Sequence, residues 1–261
     1  MPDEPLDAGA FAPPPPSYSE AVALKQAFAH LDRARSGGHA FPERFSVWPN
    51  NNNSAVKWLL GESPRHRPLY AISRREQPSG NKPDVILHDG VSLKDRSLAS
   101  FRSPQPRSWS VRLPSHVEPD DSLLVSAPSD WRAQKRPLLR FSAATGVRGQ
   151  VEEFEWRSSN NDNIRASLGG SPVALLGWKL VRIVQDDITA QIPGPRGAWP
   201  KTKSGAEIVG VFTKSEMAMS EWRFAFLGTG ATGVLGPDWR LTAITTALII
   251  MDTGLRLERK T

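Results

Sequence analysis

The chain has no cysteine. Disulfides, cysteine nucleophiles and thiolate zinc sites are excluded together. Histidine is scarce, and His30, His39, His66, His88 and His116 lie far apart without ligand spacing. No G-x-S-x-G elbow occurs. The acidic doublets Asp120-Asp121 and Asp186-Asp187, and the Glu152-Glu153-Glu155 cluster, put adjacent carboxylates on opposite faces of a strand. None has the regular spacing of a calcium loop. The expectation is a non-enzymatic protein with no cofactor and no metal. No apolar run reaches the roughly 20 residues that a membrane-spanning helix needs. The N-terminal stretch MPDEPLDAGAFAPPPPSY has no apolar signal core. An intracellular, cytoplasmic protein is expected, and in that setting the Asn52-Asn53-Ser54 sequon reads as a loop.

Turn-forming residues are plentiful. Proline occurs 23 times and glycine 20 times in 261 residues, against a hydrophobic content of 39%. This balance favours short strands and many turns. From Phe45 onward, β-like runs recur every ten to fifteen residues or so, bounded by Pro, Gly, Asn and Ser. They are Phe45–Trp48, Ala55–Leu60, Leu69–Ser73, Val85–Leu87, Ser97–Phe101, Ser108–Leu113, Ser122–Ser126, Leu138–Phe141, Val151–Trp156, Leu175–Val184, Ile208–Phe212 and Trp222–Leu227. Twelve such runs argue for an all-β barrel or sandwich.

The last element breaks the pattern. Asp238 is a candidate N-cap and Gly254 a candidate C-terminal stop for a helix. Between them Leu241, Ala243, Ile244, Ala247, Leu248, Ile249, Ile250 and Met251 cover every side, with no charge between Leu241 and Met251. A helix apolar all round must be enclosed all round. At about 14 residues it is about 21 Å long, close to the length of a strand at ~17–20 Å. It fits the core of a β-barrel.

Residues 1–40 read as a flexible, proline-rich tail, with a short helix possible over Ser19–Arg35, and residues 41–261 as the barrel domain. Within the tail, Pro15-Pro16-Ser17-Tyr18 is a PPxY string. Consecutive prolines pre-set the polyproline II conformation that aromatic WW grooves accept. Pro15, Pro16 and Tyr18 are therefore candidate contacts for a WW-domain protein, such as a HECT-type ubiquitin ligase or its adaptor. The other reading is chance occurrence in a proline-rich tail.

Net charge is +6, and residues 56–115 alone supply it, with 11 basic and 5 acidic side chains. Such an excess suits an anionic partner or simply a solvated surface. Arg65, Arg67, Arg74, Arg75, Lys94 and Arg96 are the candidate contacts for anionic membrane lipid, a phosphoinositide head group included. Nucleic acid is disfavoured because aromatic residues are not interleaved with these cations. The nine tryptophans read mainly as barrel core, with Trp199 the one placed to meet a partner or a lipid interface. Gly228-Thr-Gly230-Ala-Thr-Gly233 matches G-x-G-x-x-G, but too little chain follows for a βαβ unit. It reads as a tight turn feeding the final helix.

Phe154-Glu155-Trp156-Arg157, Gly177-Trp178-Lys179-Leu180-Val181-Arg182, Gly205-Ala206-Glu207-Ile208-Val209 and Leu235-Gly236 with Trp239 and Thr246-Ala247-Leu248 follow one another in order. Pro68-Leu69-Tyr70-Ala71-Ile72-Ser73 and Leu87-His88-Asp89-Gly90 precede them. Together they resemble the fungal family with a tubby C-terminal-like domain, over about Phe45 to Glu258. The wider superfamily includes LURP-one-related proteins and phospholipid scramblases. The resemblance implies a mainly β fold: a twelve-stranded closed barrel around a central hydrophobic C-terminal helix, with Leu241, Ile244, Ala247, Leu248, Ile249 and Met251 as its core. It also implies phosphoinositide binding and a membrane-tethered adaptor role, although the chain has no obvious tubby phosphoinositide motif and no acidic calcium loop. The function expected is an adaptor peripheral to a membrane. The alternative is an interaction or structural barrel without a lipid ligand. A scramblase-like lipid translocator is the third reading.

Overall fold

The structure is a computed structural model that describes residues 41–51, 55–75, 83–116, 122–127, 139–146, 150–159, 168, 177–183, 200–202, 204–214 and 221–258. The WW-contact candidates Pro15, Pro16 and Tyr18, the helix expected over Ser19–Arg35, the sequon, Trp131, Trp199 and the doublets Asp120-Asp121 and Asp186-Asp187 lie outside the described residues.

Twelve strands form one sheet: β1 (Arg44–Pro49), β2 (Val56–Gly61), β3 (Tyr70–Arg74), β4 (Val85–His88), β5 (Ser97–Gln105), β6 (Ser108–Arg112), β7 (Leu123–Ser126), β8 (Leu139–Ala144), β9 (Val151–Ser159), β10 (Gly177–Ile183), β11 (Ile208–Lys214) and β12 (Trp222–Phe226). Each pairs antiparallel with its neighbour in sequence, and β1 pairs with β12, so the sheet is a closed barrel. Each expected β run overlaps one of these strands, with ends that differ by up to four residues. The alternation that marks a half-buried strand is visible in β6, where Trp109 and Val111 are buried, and in β8, where Leu139, Phe141 and Ala143 are buried.

Two helices follow β12: α1 (Gly228–Thr232) and α2 (Pro237–Glu258). Every residue from Trp239 to Asp252 is buried. Trp156 of β9 donates its Nε1 hydrogen to Thr246 Oγ1 at 2.9 Å. Trp239 packs against Phe154 of β9 and Phe226 of β12. Asp252 is bonded to Arg74 of β3 at 3.0 Å, and α2 also runs against β5 and β8. These strands are spread around the closed sheet, so α2 is packed from several sides. One apolar cluster joins the expected helix core (Leu241, Ile244, Ala247, Leu248, Ile249 and Met251) to the inner face of the sheet. The threonines on α2 satisfy themselves: Thr245 donates to the Leu241 carbonyl at 2.7 Å, and Thr246 to that of Thr242 at 2.9 Å.

The ends of α2 differ from expectation. Pro237, not Asp238, opens the helix; at that position the missing N–H costs nothing. Asp238 lies in the first turn, where a negative charge suits the helix dipole. The helix does not stop at Gly254, which keeps a right-handed conformation, and continues to Glu258. Leu255, Arg256, Leu257 and Glu258 are good helix formers, so the interior glycine costs only about 1 kcal/mol. The glycine-rich segment is also more than a turn. It forms the single turn of α1, closed by Gly233 in the left-handed conformation. Gly230 lets α1 lie against β11, because a Cβ there would overlap the Val209 carbonyl.

Among the described residues six tryptophans are buried, Trp156, Trp178, Trp222 and Trp239 among them. Trp178 stacks on Trp222 at 5.8 Å, and Trp222 on Phe212 at 5.0 Å. Aromatic packing of this kind explains most of the tryptophan content as core.

Candidate functional site

Strand direction alternates around the barrel, so the connections alternate between its two ends. Residues 62–69, residues 89–96 and the start of α2 share one end, called here the α2 N-terminal end. The connection after Arg74 lies at the other.

At the α2 N-terminal end a charged group is buried beneath the loops. Arg182, 1% exposed, donates from Nη2 to Glu152 Oε1 at 2.7 Å and is also bonded through Nε to Glu152 Oε2. Its Nη1 lies 3.5 Å from Glu207 Oε2. Thr145 Oγ1 donates to Glu152 at 2.8 Å. Glu207 accepts from Thr229 N at 2.6 Å and from Thr229 Oγ1 at 3.0 Å. A carboxylate therefore already occupies the N-terminus of α1, where a dinucleotide fingerprint would place its phosphate. Every partner in this group is internal, so it ties β9, β10, β11 and α1 together. Among the described residues, no three His, Cys, Asp or Glu are placed to hold a metal ion.

The six lipid-contact candidates divide between the ends. Arg74 lies against α2 and holds Asp252, and Arg75 follows it at the α2 C-terminal end. Neither joins the others. Arg65 and Arg67 are exposed on residues 62–69, and Lys94 and Arg96 are exposed on residues 89–96. These two loops are neighbours because β3 pairs with β4, and Ala71 N donates to Gly90 O at 2.6 Å across their bases.

Both loops are held by their own polar groups. Ser63 Oγ meets His66 Nδ1 at 2.7 Å, and His66 N donates to Ser63 O at 3.0 Å. In the second loop Asp95 Oδ2 accepts from Ser92 N at 2.8 Å, and Asp89 N donates to Arg96 O at 2.7 Å. Gly90 has φ 149°, and a Cβ there would overlap the Asp95 carboxylate. Beneath this loop lies His88, 6% exposed at the end of β4. Its Nδ1 faces the Asp95 carbonyl at 3.2 Å and its Nε2 faces Ser73 Oγ at 2.9 Å. A carbonyl only accepts, so Nδ1 carries the proton and Nε2 accepts from Ser73. His88 is therefore a brace for the loop, a role its turn-like sequence does not reveal.

The loops contain Glu62, Asp89 and Asp95 besides the four cations. Asp89 and Asp95 are only half-exposed and are engaged in loop bonds, whereas all four cations are exposed. The outward charge is therefore positive. Arg96 Nη2 remains 3.1 Å from Asp89 Oδ2. Leu69, Val91 and Leu93 stand exposed among these cations. Sequence reasoning took Leu69 as the start of a β run, which the structure begins at Tyr70, and passed over Val91 and Leu93, because isolated apolar residues in loops carry no periodic signal.

Tyr70 begins β3 under the same loops. It is buried and stacks on Phe41 at 4.5 Å. Burial, and then the nearby Asp89 carboxylate, push its phenol far above the usual range. The phenol therefore keeps its proton near neutral pH.

No family model, no curated protein and no solved structure matches the chain. Among the described residues no helix is long and apolar enough to cross a membrane.

Proposed function

We propose that this protein is a non-enzymatic adaptor that docks on anionic lipid, phosphoinositides included, through the α2 N-terminal end of its barrel. The observation that carries the proposal is that Arg65, Arg67, Lys94 and Arg96 are all exposed on two neighbouring loops at one end of the barrel. Of the two half-exposed acids of those loops, Asp95 is held by a loop bond and Asp89 pairs with Arg96. Each cation near an anionic surface contributes about 1 kcal/mol, so Arg65, Arg67 and Lys94 together are worth about 3 kcal/mol at low salt, with Arg96 partly offset by Asp89. Arg74 and Arg75 drop out of the site.

The rest of the reading is consistent with this placement. The closed barrel with a buried C-terminal helix is the fold that membership of the fungal tubby C-terminal-like family would give, and that membership is part of the proposal. A peripheral, cytoplasmic location follows from it. Pro15, Pro16 and Tyr18 would recruit a WW-domain protein to the surface that the barrel occupies.

Sedimentation with vesicles tests the lipid half. The chain is expected to pellet with anionic vesicles, to release as salt rises, and to lose binding when Arg65, Arg67 and Lys94 are changed together to Glu. Failure of the unaltered chain to pellet at low salt refutes it.

A further inference from the structure

The proposed lipid site has a second component besides charge. Among the described residues five large apolar side chains are exposed, and three of them lie on the two cationic loops: Leu69 at 39%, Val91 at 44% and Leu93 at 42%. They lie beside the cations along the chain, as Arg65-His-Arg67-Pro-Leu69 and Val91-Ser-Leu93-Lys94-Asp-Arg96. They are also held in place. Leu69 N donates to Leu60 O at 2.8 Å, and Leu93 lies between Ser92 and Lys94, whose N donates to Ser92 Oγ at 3.2 Å.

Apolar tips ringed by flexible cations match the layering of a bilayer surface. The tips can enter the acyl boundary while Arg and Lys reach back to the phosphates. A nucleic acid offers positive charge a partner but gives leucine none, and these loop residues include no Phe, Tyr or Trp for base stacking. The cations also fail to form a head-group pocket. All four are exposed, they sit on separate turns, and Arg96 already shares its guanidinium with Asp89. Stereospecific recognition of a head group needs convergent, partly desolvated donors.

We infer that Leu69, Val91 and Leu93 insert into the membrane, and that the loops read the charge density of an anionic bilayer rather than the stereochemistry of one head group. This inference rests on the lipid-docking reading. It further orients the barrel, with the start of α2 toward the membrane.

The absence of cysteine makes the test direct. Leu93→Cys creates a unique thiol for an environment-sensitive fluorophore, and Ser126→Cys, exposed at the end of β7 far from these loops, creates the control. Phosphatidylcholine vesicles carrying phosphatidylserine, or a phosphoinositide at matched charge, are titrated into the full-length chain. The expected result is a blue shift at position 93 and none at 126, with affinities for the two vesicle types agreeing within about threefold. The double change Val91→Ser and Leu93→Ser should weaken binding about tenfold, as loss of two partly buried aliphatic groups requires. Binding with the probe at 93 still in water overturns the inference and leaves lipid docking standing. So does a tenfold preference for the phosphoinositide, or displacement by a soluble inositol phosphate. No binding to any anionic vesicle overturns docking and insertion together, as does displacement from vesicles by an equimolar RNA oligonucleotide.

Discussion

Arg74 and Arg67 lie seven residues apart, on one strand and the loop that feeds it, yet at opposite ends of the barrel. Arg74 is half-buried, and its Nε lies 3.0 Å from the Asp252 carboxylate of α2, which is 4% exposed. Arg67 is exposed, on a loop whose turn is already made by Ser63 and His66. At the α2 C-terminal end the cation compensates a buried charge of the helix. At the α2 N-terminal end the buried charges are Glu152 and Glu207, which Arg182 compensates, and the loop cations are not part of that group. The same residue type thus does fold work at one end and is available for a partner at the other. Composition reports only the sum.

The largest effect expected on either end comes from the helix that connects them. Ile249→Lys or Ala247→Asp puts a charge where no partner stands, at a cost of several kcal/mol. Loss of the cooperative thermal transition, read by near-ultraviolet circular dichroism, is the outcome; a soluble variant with an unchanged melting temperature would contradict the burial of α2. Next is Arg182→Met. It leaves Glu152 and Glu207 buried without their cation and should cost about 3–5 kcal/mol in urea unfolding. A third variant, Arg74→Gln, weakens the charge-assisted contact to Asp252 and should cost about 1–2 kcal/mol. If Arg74→Gln cost more than Arg182→Met, the assignment of the main electrostatic lock to the α2 N-terminal end would be reversed.

Tyr70 sharpens the same comparison without altering a charge. The chain has two tyrosines, so Tyr18→Phe leaves Tyr70 as the sole phenol. In the folded state its pKa is raised, whereas in the unfolded chain it is near 10. Below pH 10 both states hold the proton and stability is unaffected. Above it the unfolded state releases a proton that the folded state retains, so stability falls as pH rises. Phenolate absorbance near 295 nm should then appear only together with unfolding. Smooth titration in a folded protein at pH 10 would mean that the loops do not seal this end.

Much of the architecture was legible because burial leaves a periodic mark. The alternation in Trp109-Ser-Val111 and the uninterrupted apolar surface from Leu241 to Met251 both follow from facing a core, and both elements formed as expected. The helix ends were less legible. Whether Gly254 stops a helix depends on the φ it adopts, and the residue type alone does not set that. The site was half legible. Six cations stood out by charge, but which end each occupies depends on strand direction, and Arg74 is carried away from Arg67 by the length of β3. The Glu152–Arg182–Glu207 group joins residues 30 and 25 positions apart, and no local pattern links them. Val91 and Leu93 gave no signal, and Leu69 read as a strand residue, until the exposure of the three was seen together.

The smallest effect is the most informative about function. Arg67→Gln and Arg65→Gln remove exposed charges with no buried partner among the described contacts, so each should leave folding stability within about 0.5 kcal/mol. Each should still weaken vesicle binding about fivefold at low salt, since one cation near an anionic surface is worth about 1 kcal/mol. The difference between the two variants and the unaltered chain should vanish as salt rises, because screening removes the term being measured. Arg75→Gln, at the opposite end, provides the contrast: at low salt its binding should match that of the unaltered chain. Should Arg75→Gln weaken binding as much as Arg67→Gln does, the surface responds to total charge alone, and the two ends are not functionally distinct.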